Sequence, residues 1–148
     1  MTSYTGSGPY CFANSLSMLL DGPSPSVVEV LTGSPFGFEL IAGELPLFDP
    51  YGWTPELGVD AAVGALGWTC RRSEGDDAEA RLVEAVAAGP VLAGPLDMGL
   101  LLYQPGTPAD DMGDHYVVVL GIEDGVVRLH DPHGHPHATL PADAFLAA

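Results

Sequence analysis

The spacing of apolar residues predicts that the amino-terminal half of the chain is helical. In residues 10–20 apolar side chains recur every three or four positions, and Asp21-Gly22-Pro23 then ends the pattern. Residues 25–31 suit a short helix or a strand, and we favour the helix because Ser24 suits the N-cap position and Pro25 the first helical position. The same signals predict helices over residues 54–66 and 77–88, the second with Leu82, Val83 and Val86 on its buried side.

The strand signals lie mostly in the carboxyl-terminal half. Residues 89–93 and 114–122 are rich in β-branched and other apolar residues, and the second run, DHYVVVLGI, is the clearest strand signal in the chain. A two-residue turn at Asp124-Gly125 joins it to residues 126–130 as a β-hairpin. A short strand is also predicted at 68–71 and a helical turn at 141–146. Helices that precede antiparallel strands, without βαβ alternation, predict an α+β fold.

Residues 34–55 separate these two parts and have a different composition. They are rich in Gly, Pro and aromatic residues, which predicts a packed irregular region that lines a cleft. The chain has 148 residues and 47% hydrophobic content, which is enough for a real core. We therefore expect one compact domain over residues 1–148.

The charge of the chain limits the classes of partner that it can bind. Four Arg, no Lys and twenty carboxylates give a formal charge of -16, which repels nucleic acids and anionic membranes. A cationic small molecule or a basic peptide would be attracted, although an acidic surface also serves simply to keep a protein soluble. No secretion signal and no apolar run of about 18 to 20 residues is visible, which predicts a cytoplasmic protein with two reduced cysteines.

Cys11 is the candidate nucleophile because it falls in the first turn of a predicted helix. Backbone N–H groups and the helix dipole stabilise a thiolate there. The alternative is a buried, inert thiol, which is the usual state of a free cysteine. We assign that role to Cys70 in the predicted strand at 68–71.

His115 and Asp131 are the candidate partners of Cys11. His115 starts the clearest strand, and Asp131 ends the strand that pairs with it. Counting outward from the turn at Asp124-Gly125 brings Asp131 within about two residues of His115 across the hairpin. A thiol, an imidazole that shares its proton and a carboxylate that holds the imidazole in one tautomer are the groups that nucleophilic catalysis requires.

These three positions carry a resemblance to a known superfamily. The segments CFANSL from Cys11, DHYVVVLGI around His115 and LHDP around Asp131 resemble the Cys, His and Asp boxes of papain-like cysteine enzymes. More narrowly, they are similar to double-glycine leader peptidases and to the amino-terminal domain of butirosin biosynthesis protein H. The segment SPFGF at 34–38, the strand beginning Gly89-Pro90-Val91, Asp97 and Tyr103 extend the second resemblance along the whole chain.

The resemblance implies a papain-like fold, with amino-terminal helices packed on an antiparallel sheet, and acyl transfer through a thioester on Cys11. The acyl donor would be a carrier-protein thioester or a peptide, the acceptor an amine, and the setting natural-product biosynthesis. The chain ends soon after the Asp box, so a carrier-dependent reaction would need a partner protein in place of the second region of that relative. Alternatives are a cysteine peptidase or amidase and an inactive papain-like binding module.

The sequence before Cys11 favours transfer over peptide cleavage. The peptidases place a Gln a few residues before the cysteine to stabilise the oxyanion, whereas residues 1–10 here contain no Gln. Thr5, Ser7 and the backbone N–H of Cys11 are the nearby donors. Because the loss of one oxyanion donor costs about a hundredfold to a thousandfold in rate, an activated thioester is a better substrate than an amide.

Other candidate binding residues have structural alternatives. Phe36, Phe38 and Trp53 suit an apolar acyl pocket or the protein core equally well. Asp97 and Tyr103 are candidates for lining the cleft. Asp110-Asp111 suits guidance of a cationic acceptor, although an exposed loop is the simpler interpretation. Four histidines, His130, His133, His135 and His137, could hold zinc or nickel, but we favour a solvated loop and predict neither a metal nor a cofactor.

Overall fold

The computed structural model of the protein describes residues 2–6, 10–20, 22–104 and 114–148. Its helices and strands follow the chain in this order: α1 Cys11–Leu20, α2 Pro25–Thr32, β1 Glu39–Ile41, β2 Leu45–Leu47, α3 Pro55–Ala65, α4 Ala78–Ala87, β3 Val91–Asp97, β4 Asp114–Glu123, β5 Val126–Asp131, β6 His135–Pro141 and α5 Ala142–Ala147. Two short 3-10 helices occupy Ser34–Phe36 and Met98–Leu100. These elements confirm the predicted α+β class.

The helix boundaries follow the signals in the sequence. In α2, Pro25 takes the first position and Gly33 ends the helix in the left-handed conformation, with φ of 81°. In α3, the Thr54 side chain accepts a hydrogen bond from the Leu57 N–H at the N-cap. The predicted helices therefore lie where periodicity and capping residues place them.

Four antiparallel strands form the main sheet in the order β3-β4-β5-β6, and β1 pairs with β2 in a separate hairpin. The predicted hairpin of β4 and β5 is confirmed, with Glu123 opposite Val126 and with Asp124 and Gly125 at positive φ. A bulge between Val119 and Gly121 then shifts the pairing by one residue, so that Val118 lies opposite His130. Asp131 remains close to His115 despite this shift.

β4 is buried on both faces, which explains its unbroken apolar run. Tyr116 packs with side chains of α1, α2 and α3, whereas Val117 and Val119 pack with β5, β6, α4 and α5. Nine of the ten residues of α1 are buried, so this helix is enclosed by α2, α3 and the sheet. The start of α1 is thereby fixed against the start of β4.

Three local predictions are wrong. Residues 68–71 are irregular rather than a strand, because Arg72 bonds to the Asp60 carboxylate at 2.7 Å and to the Glu56 carbonyl oxygen at 2.9 Å, which holds this stretch along α3. Cys70 is consequently exposed rather than buried. On α4, Val83 is 49% exposed and faces away from the sheet.

The histidine-rich segment and residues 34–55 also differ from expectation. Residues 135–141 form an edge strand rather than a solvated loop, because Leu140 is buried and the prolines lie where an edge strand tolerates them. Phe36 and Phe38 are 74% and 57% exposed, so the segment that carries them is not packed as predicted. None of the described helices is long and apolar enough to cross a membrane.

Candidate active site

Cys11 is the first residue of α1 and is 9% exposed. The helix begins here because the backbone and side-chain amides of Asn14 both donate to the Tyr10 carbonyl oxygen, at 3.2 and 2.8 Å. The first turn of a helix presents N–H groups that lack intrahelical acceptors, and the helix dipole is positive there. The fold therefore places the Cys11 sulfur where negative charge is stabilised.

Ser15 fixes the distance between this helix and β4. It lies one turn after Cys11 on the same side of α1, and its hydroxyl donates to the Tyr116 carbonyl oxygen at 3.0 Å. Tyr116 follows His115 directly in β4. A hydrogen bond in the buried interface thus brings the helix face that carries Cys11 to the part of the strand that carries His115.

His115 lies between the thiol and a carboxylate. Its side chain is 1% exposed, and its Nε2 is 2.9 Å from Asp131 Oδ1, which is itself fully buried. The Cys11 side chain lies close enough to the same ring to raise its pKa. Because Nε2 faces Asp131, Nδ1 is the nitrogen left to exchange a proton with the Cys11 sulfur.

Neither ring nitrogen of His115 completes a hydrogen bond of regular geometry, although Nε2 lies 2.9 Å from Asp131 Oδ1. Hydrogen bonds in ligand-free active sites are often poorly aligned and tighten only when substrate binds. A charge on a buried group is costly unless an oppositely charged or hydrogen-bonding group lies beside it. The buried imidazole has the thiol and the carboxylate as such neighbours.

The Asp131 carboxylate is held by four groups. Oδ2 accepts from the Tyr103 hydroxyl at 2.8 Å and from Gln104 Nε2 at 2.6 Å. Oδ1 accepts from the backbone N–H of His133 at 2.7 Å and faces His115. These bonds fix the direction of the carboxylate, and through it the orientation of the His115 ring.

The charges of the pair follow from these contacts. Burial lowers the pKa of His115, but Asp131 and Cys11 outweigh it and raise that pKa to about 9. Burial likewise works to raise the pKa of Asp131, yet its bonds to His115, His133 and Tyr103 lower that pKa to about 2. Burial and the Asp131 charge raise the pKa of Tyr103, which stays a neutral donor. At neutral pH the site therefore holds an imidazolium next to Cys11.

Of the predicted binding residues, one lies in the site and the others lie outside it. Tyr103 is the one in the site, where it is hydrogen-bonded to Asp131. Trp53 packs on Phe12 with ring centroids 5.2 Å apart and donates its indole N–H to the Thr32 carbonyl oxygen at 2.9 Å, which indicates a role in the core. Asp97 accepts from the Gly99 N–H at 2.8 Å and caps the second 3-10 helix.

Phe36 and Phe38 are exposed, and the Phe38 ring packs on Phe48 with centroids 5.6 Å apart. They do not form an enclosed acyl pocket. Of the predicted oxyanion donors, Thr5 is half-buried near the amino terminus, whereas Ser7 lies outside the described residues. Asp110-Asp111, the predicted guide for a cationic acceptor, lies outside them as well.

Two groups around the site were missed by the sequence analysis. Gln104 is the single Gln of the chain, and it binds Asp131 rather than preceding the cysteine. Its position next to Tyr103 was the available signal. Tyr4, whose hydroxyl donates to the Asp131 carbonyl oxygen at 3.0 Å, gave no signal at all, because 127 positions separate the two residues.

The four histidines do not share one environment, since His133 and His137 are exposed and His135 is half-buried. His130 is fully buried, and the exposed His133 packs on His115 with ring centroids 4.6 Å apart. Within the described part of the chain, one ligand atom each from His115, Asp131 and His133 lies within 4.8 Å of the others, which is the arrangement that could hold a metal ion. Two of these three residues are the candidate base and its orienting carboxylate.

Comparison with known proteins gives one informative relative. The chain is 35% identical to the uncharacterized protein YobF of Bacillus subtilis (strain 168) over 156 aligned positions, which take in all of this chain and 50% of that protein. The chain thus spans about half the length of the curated relative it matches. No protein-family model matches the chain, and no solved structure matches it.

Proposed function

We propose that the protein is a cysteine acyltransferase of the papain-like kind, in which Cys11 is the nucleophile, His115 the base and Asp131 the group that orients the base. The observation that carries this proposal is the buried His115 ring, whose Nε2 lies 2.9 Å from Asp131 Oδ1 and whose pKa is raised by both Asp131 and Cys11. Three groups of complementary function, brought from α1, β4 and β5, meet at one end of the sheet.

The first half of the reaction forms an acyl-enzyme. The Cys11 sulfur attacks the carbonyl carbon of a thioester, and the bond from that carbon to the donor sulfur breaks. The departing thiolate takes its proton from the His115 imidazolium, which becomes neutral. Asp131 keeps the ring oriented while its charge changes.

The second half passes the acyl group to an amine. The amine nitrogen attacks the carbonyl carbon of the acyl-cysteine and loses a proton to the neutral His115. The bond to the Cys11 sulfur breaks, the product is an amide, and the thiolate and imidazolium are restored. Water in place of the amine would give a carboxylic acid.

Thioester donors suit this site better than peptides do. The only Gln and the only Asn of the chain, Gln104 and Asn14, have their side-chain amides bonded to Asp131 and to the Tyr10 carbonyl oxygen. These two amides are therefore engaged in holding the site together. An amide substrate depends more strongly on oxyanion stabilisation than an activated thioester does.

The acceptor is proposed to be a cationic amine. A chain with a formal charge of -16 concentrates cations near its surface and steers them to it. The same charge opposes an acidic donor, so a carrier protein would have to approach through a local contact rather than by long-range attraction.

The test is to measure transfer of an acyl group from a simple thioester donor to Cys11 and then to an amine. Purified protein is mixed with S-phenyl thioacetate, and its intact mass and peptide map are recorded before and after addition of a diamine. We expect one acetyl group on Cys11, lost rapidly to the diamine as the acetylated amine. Cys11→Ala should carry no such adduct, and Cys70→Ala should behave as the parent does.

Each alternative function predicts a different result in this experiment. Equal acetylation of Cys11 and Cys70, unchanged in His115→Ala, would contradict an enzymatic role and leave a binding module. An adduct on Cys11 that is lost to water at the same rate with and without the diamine, together with cleavage of amide substrates, would identify a hydrolase.

A further inference from the structure

Tyr4 binds both ends of the turn that carries Asp131. Its hydroxyl donates to the Asp131 carbonyl oxygen at 3.0 Å and accepts from the Gly134 N–H at 2.9 Å. This turn, residues 131–134, also contributes the His133 N–H that bonds to Asp131 Oδ1. One phenolic oxygen thus closes the turn from which the carboxylate projects toward His115.

The segment that carries Tyr4 is attached to β5 by a second side chain. His130 is fully buried, accepts from the His137 N–H through Nδ1 at 3.1 Å and lies 3.3 Å from the Thr2 carbonyl oxygen through Nε2. Because Nδ1 is an acceptor, Nε2 carries the proton and donates to Thr2. The Tyr4 ring packs edge-on against His130, with centroids 5.5 Å apart.

Gly6 shows how closely the segment lies on the turn. A Cβ at this position would be 2.7 Å from the Pro132 carbonyl oxygen and closer still to the Tyr4 hydroxyl oxygen. Any side chain there would therefore displace Tyr4 from the turn. Tyr10 and Cys11 follow a few positions later, so the residues that hold the Asp131 turn and the nucleophile belong to one stretch of chain.

We propose that Tyr4 is a positioning residue and that residues 2–6 form an amino-terminal clasp, which holds the Asp131 turn in register with His115 and Cys11. This inference rests on the proposed function of the site. Among the described residues the Tyr4 hydroxyl bonds to backbone atoms of the turn, so its loss leaves Cys11, His115 and the Asp131 carboxylate chemically intact. What it changes is the direction in which the carboxylate points.

The experiment measures the rate of Cys11 carbamidomethylation by iodoacetamide as a function of pH in the full chain, with Cys70 as internal reference. In Tyr4→Phe we expect a loss of about tenfold for Cys11 between about pH 6 and 7, since both hydrogen bonds that close the turn are lost. The pH profile should move toward that of His115→Ala, while the rate for Cys70 stays unchanged. Gly6→Ala should act in the same direction without removing the hydroxyl.

Val127→Ala is the structural control. Val127 is a fully buried residue of β5 in the apolar cluster behind the sheet, and its truncation lowers stability without touching the clasp. If Tyr4→Phe alters Cys11 reactivity only as much as an equally destabilised Val127→Ala does, or by less than twofold, then Tyr4 is not a positioning residue.

Hydrogen exchange separates failure of this inference from failure of the proposed function. A parent protein in which Cys11 reacts no faster than Cys70 would contradict the proposed function. The clasp is then judged by exchange of the Gly134 amide, which should be protected in the parent and exposed in Tyr4→Phe. Unchanged protection of that amide would overturn the clasp whatever the reactivity of Cys11.

Discussion

The two cysteines of this chain occupy opposite environments. Cys11 is buried at the start of α1, against β4 and beside the His115 ring. Cys70 is exposed in an irregular stretch after α3, next to Arg72, whose guanidinium is already bonded to Asp60. The same side chain is thus enclosed beside an imidazole in one place and open to solvent in the other.

This difference separates reactivity from accessibility. If exposure decided thiol chemistry, Cys70 would be the reactive cysteine. If the surroundings of the sulfur decide, Cys11 is, because it lies in the first turn of a helix and beside the His115 ring. Removal of single residues around Cys11 tests how much each of them contributes to the difference in reactivity between the two thiols.

Removal of the base should have the largest effect. In His115→Ala the rate of Cys11 alkylation at about pH 6 should fall on the order of a hundredfold, because a free cysteine with a pKa of about 8.5 is mostly protonated at that pH. Cys70 should keep its rate. Quantitative peptide mapping after a short pulse of iodoacetamide measures both sites in the same sample.

The matched control for this prediction is His135→Ala, which removes another imidazole near the site. His135 packs on Tyr103 with ring centroids 5.3 Å apart and does not belong to the proposed triad. If both variants slow Cys11 equally, the effect belongs to the packing around the site, and His115 has no special role.

The next effect should be the contribution of the His115–Asp131 ion pair to the free energy of unfolding. The pKa of His115 is raised to about 9, so its contribution is complete below the ordinary value of about 6.5 and is lost as pH rises through 9. The pKa of Asp131 is lowered to about 2, so its contribution is present above about 4 and is lost as pH falls through 2. The pair therefore stabilises the folded chain most between about pH 4 and 6.5.

Asp131→Asn tests this window. The free energy of unfolding, measured with urea at about pH 6 by tryptophan fluorescence, should fall by about 3 kcal/mol, because a buried imidazolium is left without its carboxylate. The difference from the parent should shrink as pH rises through 9. A difference that stays constant over that range would mean that the two residues are held together by packing rather than by charge.

The environment of Cys11 was largely predictable from the sequence because it depends on local patterns. Apolar periodicity placed α1, the run DHYVVVLGI placed β4, and the Asp124-Gly125 turn brought Asp131 near His115. The bulge between Val119 and Gly121 was not visible in the sequence, since any apolar strand can accommodate one, and it moved the register by a single residue. Because only two residues connect β4 and β5, this error in register was small, and Asp131 still lies near His115.

The environment of Cys70 and the outer contacts of Asp131 were not predictable in the same way. Residues 68–71 have the composition of a strand, but the pairing of Arg72 with Asp60 is a tertiary contact that overrides it. Tyr4 meets Asp131 across 127 positions and Gln104 meets it across 27, so no local period links them. The geometry that distinguishes the two thiols is thus supplied by long-range hydrogen bonds.

The smallest expected effect concerns one of those bonds. Tyr103→Phe removes the 2.8 Å hydrogen bond to Asp131 Oδ2, while Gln104 and the His133 N–H still hold the carboxylate. Cys11 alkylation should therefore slow by only about threefold, less than the full strength of a bond to a charged acceptor would give. Tyr51→Phe, at a side chain that is 94% exposed, is the control and should leave Cys11 unaffected. A Tyr103→Phe variant as slow as His115→Ala would mean that Tyr103, and not the shared set of donors, determines the orientation of Asp131, so that the reactivity of Cys11 depends on a single hydroxyl.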